Sequence, residues 1–256
     1  MNAASIPFPV AMPSTADLLL DLSVLYKVQP ATALWRAVEI AAVLQEGLPD
    51  GTGLDLGCGD GALTGLILRH LPNTPRMIGL DYDPGEIAVA KRRGVYVDTV
   101  VSGGESMPLT SASVDFVFSN SVLEHLTKLD QTIGECARVL RPGGTFIATV
   151  PAPDFRALLA ARNTTGDARK RYLAAMDARL AHRNYLGPAE WSAMLSRHGM
   201  HLVHTRGYLD VRQVRRWERF SNLTAGTLQA LGASNALLYR LQRLTRADDA
   251  RAGGLL

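Results

Sequence analysis

The stretch Gly53-Leu54-Asp55-Leu56-Gly57-Cys58-Gly59-Asp60-Gly61-Ala62 decides the fold. A short apolar run leads into alternating glycines, and helix-forming residues follow, so a strand ends in a glycine loop that opens a helix. Glycine lets the backbone take positive φ and approach a ligand with no Cβ in the way. Counted from Gly57, the loop satisfies the loose G-x-G-x-x-G/A pattern, with Ala62 in last place, a pattern that several kinds of nucleotide binder share. Asp55, two residues before Gly57, narrows the choice. A carboxylate there repels a pyrophosphate and suits a cationic ligand with an ammonium group.

The next signal downstream is Gly79-Leu80-Asp81-Tyr82-Asp83-Pro84. Asp81 closes a second apolar run 24 residues after Gly57, near the spacing of ~20 residues at which an acid accepts hydrogen bonds from ribose hydroxyls. Tyr82 beside it offers a ring to an adenine face. Asp83-Pro84 reads as a helix N-terminus with proline in the first turn.

Around these two motifs, short apolar runs alternate with helical stretches. Strands are expected at 52–56, 76–80, 95–101, 114–118 and 145–150, with helices at 61–70, 84–92 and 129–139. Such alternation gives an α/β, doubly wound parallel sheet, with ligands bound beyond the carboxyl ends of its strands. Upstream, Pro13-Ser14-Thr15 starts one helix, Gln29-Pro30 breaks it, and Ala31 to Glu46 forms a second. Beyond Pro151 the alternation stops: 155–182 reads as helical, 189–198 as a helix, His201–Thr205 as a strand, and 209–246 as arginine-rich helix.

The 256 residues carry 47% hydrophobic and 20% charged side chains, an ordinary globular composition that excludes collagenous, disordered and disulfide-framework classes. Two cysteines, Cys58 and Cys136, are too few for such a framework and point to a reducing compartment. No apolar run reaches transmembrane length, and the N-terminus does not read as a secretory signal, so a cytoplasmic protein is expected. The net charge of +3 hides an asymmetry: residues 1–155 carry −7 and residues 156–256 carry +10. The basic half points either to a solvated helical surface or to an acidic partner or anionic membrane.

Taken together these residues resemble the class I S-adenosylmethionine-dependent methyltransferases, in particular the small-molecule group. The resemblance runs from the glycine loop and Asp81 through Gly104-Glu105-Ser106-Met107-Pro108-Leu109, Val114–Asn120, Val122-Leu123-Glu124-His125 and Arg138–Gly144. It implies a Rossmann-like sheet of seven strands with S-adenosyl-L-methionine as cofactor. Asp55, Gly57, Cys58 and Gly59 would hold the methionine part, Asp81 the ribose and Tyr82 the adenine face. Gly104 and Glu105 would close the adenine edge, and Asn120 would line the floor near the sulfonium. Gly103 stands where members commonly place an aspartate for the adenine amino group, which leaves that contact to other groups. Arg138–Gly144 reads as structure, turning the chain from a helix into the next strand, and Asp115 as a strand start that bonds locally.

Residues 1–208 are expected to form the methyltransferase domain, with helices in 14–47 as a lid and 152–187 as an insertion. Residues 209–256 form a basic helical extension. Val211, Val214, Trp217 and Phe220, and further on Leu237, Leu238, Leu241 and Leu244, make apolar stripes among arginines. Through them 209–246 either packs on the core or a second subunit, as in a homodimer, or lies on the inner face of the membrane.

The expected reaction is methyl transfer to a small-molecule or lipid-linked acceptor, most simply at oxygen, which needs a base. The candidates are His125, after the fourth strand, and His182, in the insertion. Cysteine and histidine show no metal-ligand spacing. Two other readings stay open: a nicotinamide-dependent oxidoreductase on the same loop, and a non-catalytic methyltransferase-like binding partner. The first does not account for Asp55. Nucleic acid is not an expected acceptor, because Ser119-Asn120-Ser121-Val122 stands where amino-methylating enzymes carry Asn/Asp-Pro-Pro-aromatic.

Overall fold

Five apolar runs pair into one parallel sheet in the order β3-β2-β1-β4-β5. They are β1 (Thr52–Leu56), β2 (Arg76–Asp81), β3 (Asp98–Val101), β4 (Val114–Asn120) and β5 (Leu140–Thr149). The computed structural model describes residues 13–27, 29–159 and 165–226. β1 is the central strand, with Leu54 opposite Ile78 of β2 and Val117 of β4. Its last four residues are all buried, as expected for a strand covered on both faces. The loops after β1 and β4 leave in opposite directions, which opens a crevice beyond their carboxyl ends.

Helices cover both faces: α1 (Thr15–Leu25), α2 (Pro30–Glu46), α3 (Ala62–His70), α4 (Pro84–Arg93), α5 (Leu129–Val139), α6 (Phe155–Leu158), α7 (Gly166–Leu180), α8 (Pro188–Arg197) and α9 (Val211–Ser221). Ser14 caps α1 in a reciprocal bond with Asp17, worth about 1 kcal/mol. Asp83 caps α4 through the amides of Gly85 and Glu86. One core joins α1, α2 and α3 to Met77, Phe116 and Phe118. Gly53 makes room there, since a Cβ on it would stand 2.2 Å from the Phe116 ring. The opposite core joins Leu54, Leu56, Leu80 and Val117 to α5 and Leu195.

A third cluster holds the C-terminal helix. Trp217 of α9 packs against Trp35 of α2 (centroids 5.1 Å apart), and Trp35 meets Phe155 of α6 edge-on at 5.3 Å. Val214 and Trp217 are buried in this cluster. Of the stripe, Val214 and Trp217 are thus buried against protein and Phe220 partly so, whereas Val211 is 38% exposed. Of the alternatives expected for α9, packing on the core is the one these contacts support, and nothing supports a membrane contact. The second stripe, from Leu237, lies outside the described residues. No helix among the described residues is long and apolar enough to cross a membrane.

Two further expectations change. The resemblance implies seven strands, whereas the described residues form five. His201–Thr205 pairs with no strand; Val203 is 94% exposed, and the following Arg206 is bound by Glu46 at the end of α2. The alternation of types is present there, but no strand edge receives it. Asp115 also binds farther than expected, accepting the Thr52 amide at 2.7 Å and pairing with Arg141.

Candidate active site

The glycine loop hangs from the end of β2. The amides of Gly57 and Cys58 both donate to the Leu80 carbonyl, at 2.8 and 3.0 Å. The Gly59 amide donates to Asp81 Oδ2 at 2.9 Å. Gly57 has φ +76° and Gly59 has φ +52°, so both lie in the left-handed region where glycine has no penalty. A Cβ on Gly57 would stand 2.4 Å from Val122, whereas one on Gly59 would meet only Glu86 Oε2, at 4.0 Å. The loop thus leaves its open space above Gly59.

Asp55 is buried at the end of β1, where its Oδ2 accepts the hydroxyls of Thr64 and Tyr96. Burial pushes its carboxyl up to about 6, against those two hydrogen bonds. Burial also raises Asp81, opposed by the amides of Asp83 and Gly59. Cys58 stands beside Gly79, and burial with the neighbouring acids holds its thiol far above its ordinary value, so it is no nucleophile at neutral pH. Tyr82 is 79% exposed at the rim. Gly104 is buried against Thr132 and Leu56 with no room for a Cβ, and Glu105 accepts Lys128 Nζ at 3.1 Å. Open space above Gly59 among acidic groups fits a cationic ligand approached closely by backbone.

The second half of the site lies beyond β4. Asn120 is not turned to the glycine loop by its bonds: Nδ2 donates to Thr149 Oγ1 at 2.8 Å, and Oδ1 accepts from Arg36 of α2 at 3.2 Å. Arg36 pairs with the buried Glu39, which also accepts the Ser121 and Tyr208 hydroxyls. Burial alone would raise Glu39; Arg36 and the Ser121 and Thr149 hydroxyls hold it below its ordinary value. Burial pushes Glu124, one turn on, up to about 8.

The two candidate histidines come together here, 57 residues apart in sequence, with ring centroids 5.4 Å apart. Asn184 brings them there. Its Nδ2 donates to the Leu123 and Leu126 carbonyls, both at 2.8 Å, and the Arg183 and Asn184 amides donate to the Glu124 carbonyl. His182 Nδ1 lies 3.0 Å from the Tyr185 hydroxyl, which donates to Asp177 at 2.8 Å. Burial, then His125, then Arg36 push His182 down to about 3; burial also lowers His125. Both shifts favour the uncharged imidazole. The sequence reading passed over Arg36, Glu39, Tyr96 and Tyr208. A signal for the first two was present: Arg36 and Glu39 are the only charges between Pro30 and Gln45, in a helix otherwise apolar enough to be buried.

A parallel sheet with a glycine loop after β1, an acid ending β2 and ionisable groups beyond β4 defines the class I methyltransferase architecture. A family profile described as "Methyltransferase domain" matches residues 54–148. A malonyl-[acyl-carrier protein] O-methyltransferase of Methylococcus capsulatus is 30% identical over 213 residues, which are 80% of this chain and 70% of that protein. A probable S-adenosylmethionine-dependent methyltransferase of Mycolicibacterium smegmatis is 42% identical over 98 residues, 38% of this chain; the chain spans 37% of that relative's length. Among solved structures, a candidate sarcosine dimethylglycine methyltransferase of Galdieria sulphuraria shares the fold at TM-score 0.55 and 19% identity, over 86% of this chain and 79% of that one. The chain belongs to the S-adenosylmethionine-dependent methyltransferases, and its cofactor is S-adenosyl-L-methionine.

Proposed function

We propose that the chain transfers the cofactor's methyl group to an oxygen of a small-molecule or lipid-linked acceptor held between the glycine loop and the His125–His182 pair. When bound, the cofactor supplies a methyl group on a positively charged sulfur, open to in-line displacement. Gly57, Cys58 and Gly59 line its methionine part beside the Asp55 carboxylate. Asp81 accepts the ribose hydroxyls, Tyr82 covers the adenine from the rim, Gly104 and Glu105 border its edge, and Asn120 borders the acceptor side through its bond to Arg36. Residues 1–208 act as one unit, with α1 and α2 as a lid, 152–187 as the insertion that delivers His182, and 209–256 as an extension whose described helix, α9, packs against α2 and α6.

The observation that carries this reading is the meeting of two neutral imidazoles beyond β4. His125 Nδ1 is taken up by the Ala181 carbonyl at 3.0 Å, which leaves Nε2 to accept the proton of an acceptor hydroxyl. His182, with its strongly lowered basicity, orients rather than deprotonates. A carboxylate acceptor is a second reading. It is favoured by Arg36, whose buried Nε has no hydrogen-bond partner among the described residues, and by the malonyl group in the Methylococcus relative's name. A carboxylate needs no base, so His125→Ala should spare turnover of acids and lower that of alcohols by about 10²–10⁴-fold. Calorimetry with S-adenosylhomocysteine and NADH, followed by labelled methyl transfer to a panel of alcohols and acids, tests the whole reading. Binding of NADH without S-adenosylhomocysteine would return the chain to the oxidoreductases.

A further inference from the structure

Glu124, His125 and His182 each present one ligand atom within 4.8 Å of the other two. We propose that these three side chains form a binding site for a divalent transition-metal ion of the zinc type. Two imidazoles and one carboxylate are a set that catalytic zinc and non-haem iron sites use. Ligands at 2.0–2.2 Å from one ion in a tetrahedral arrangement stand about 3.3–3.6 Å apart, so side-chain movements of roughly 1–1.5 Å close the cluster. Glu124 Oε1 already lies 3.8 Å from His125 Nε2.

The hydrogen bonds around the cluster assign both tautomers. The Ala181 carbonyl can only accept, so His125 Nδ1 carries the proton. The Tyr185 hydroxyl gives its proton to Asp177, so its oxygen accepts from His182 Nδ1. Each ring therefore keeps its lone pair on Nε2 and is fixed through its other nitrogen by a carbonyl or a carboxylate-linked hydroxyl, as metal-binding histidines commonly are. Glu124 is a separate sign. Its side chain is 2% exposed, and its Oε2 has no hydrogen-bond partner among the described residues, a rare state for a buried acceptor. The Arg36 charge nearby is matched by Glu39. The Asn184 clamp holds the two chain segments together without the ion.

Three protein ligands leave a position open on the ion, and the acceptor oxygen would take it; with the ion bound His125 Nε2 is a ligand, and the ion rather than the imidazole would acidify the acceptor hydroxyl. That role, though not the binding itself, rests on the O-methylation reading. The test is calorimetric titration of zinc chloride into untagged full-length protein. The expected result is one ion per chain, weakened at least tenfold in His182→Ala and in Glu124→Gln and unchanged in His70→Ala on α3. S-adenosylhomocysteine affinity, measured on the same samples, shows that each variant is folded. No zinc binding by the parent, or equal affinity in parent and His182→Ala, overturns the metal site. Failure of the parent to bind S-adenosylhomocysteine overturns the methyltransferase reading instead and leaves the zinc result standing.

Discussion

Gly59 and Asp81, 22 residues apart, are joined by a 2.9 Å bond from the amide of one to the carboxylate of the other. The other oxygen of Asp81 accepts the Asp83 amide at 2.9 Å. One carboxylate thus fixes the glycine loop to the end of β2. Its two oxygens have about four lone-pair sites, so two remain for ribose hydroxyls. Asp81→Ala should weaken S-adenosylhomocysteine binding roughly ten- to a hundredfold, the worth of a charge-assisted bond at about 1.5–3 kcal/mol. Calorimetry at fixed salt reads this directly, and parental affinity would place the ribose elsewhere.

Gly57 gives a prediction with an internal control. Its φ of +76° and the 2.4 Å approach of its Cβ position to Val122 are two separate obstacles. Gly57→Ala should abolish cofactor binding, and adding Val122→Ala should restore part of it by removing the clash. The backbone strain, about 1–2 kcal/mol, would remain. Equal loss in the single and double variants would assign the whole effect to strain.

The fold was legible to the extent that it is written in local periodicity. The runs at 52–56 and 76–80 and the caps at Ser14 and Asp83 are decided by neighbours in sequence. In β5 the turn residues Arg141-Pro142-Gly143-Gly144 lie within the strand's bounds but bulge out of the ladder, whose pairing passes from Leu140 to Thr145, so the expected turn and the expected strand from 145 are both present. The site divides in the same way. Asp55, Gly57 and Asp81 belong to one contiguous pattern. The meeting of His125 with His182 depends on Asn184 reaching the carbonyls of Leu123 and Leu126, which no spacing encodes.

Asp55 sets a pH dependence of stability. Burial raises its carboxyl from the unfolded value near 3.8 to about 6, so between these values the folded chain binds more protons than the unfolded one. Stability from this group is fully present below about pH 4 and is lost as pH rises through 6, by roughly 3 kcal/mol. Asp55→Asn carries no such charge. Its stability relative to the parent should rise across that window, as read by urea unfolding at pH 4, 5, 6 and 7. A pH-independent difference would rule out the raised carboxyl.

For an alcohol acceptor, His125→Ala should lower kcat by 10²–10⁴-fold, the usual contribution of a general base. His182→Ala should lower it less, since its role is orientation. Neither should change S-adenosylhomocysteine affinity, because both rings lie beyond β4, away from the glycine loop. Full turnover in the double variant would mean that positioning alone suffices.

Trp217→Ala should destabilise the chain by about 3–5 kcal/mol, as for other buried tryptophans, with Trp35 and Phe155 losing their partner. Anionic vesicles should leave the parent's unfolding temperature unchanged, since Val214 and Trp217 are already buried against protein. Thermal unfolding with and without vesicles decides this.

The contact between Trp35 and Trp217 also fixes an order in time. Ribosomes add about 5–20 residues each second, so Trp35 is synthesised roughly 9–36 s before Trp217, the residue that completes its packing. During that interval the glycine loop and the sheet from β1 to β5 can form, while the chamber wall built by α2 and α6 stands unfinished with two aromatic rings uncovered. A nascent chain stalled before α9 would therefore leave Trp35 and Phe155 open to whatever apolar surface it meets first.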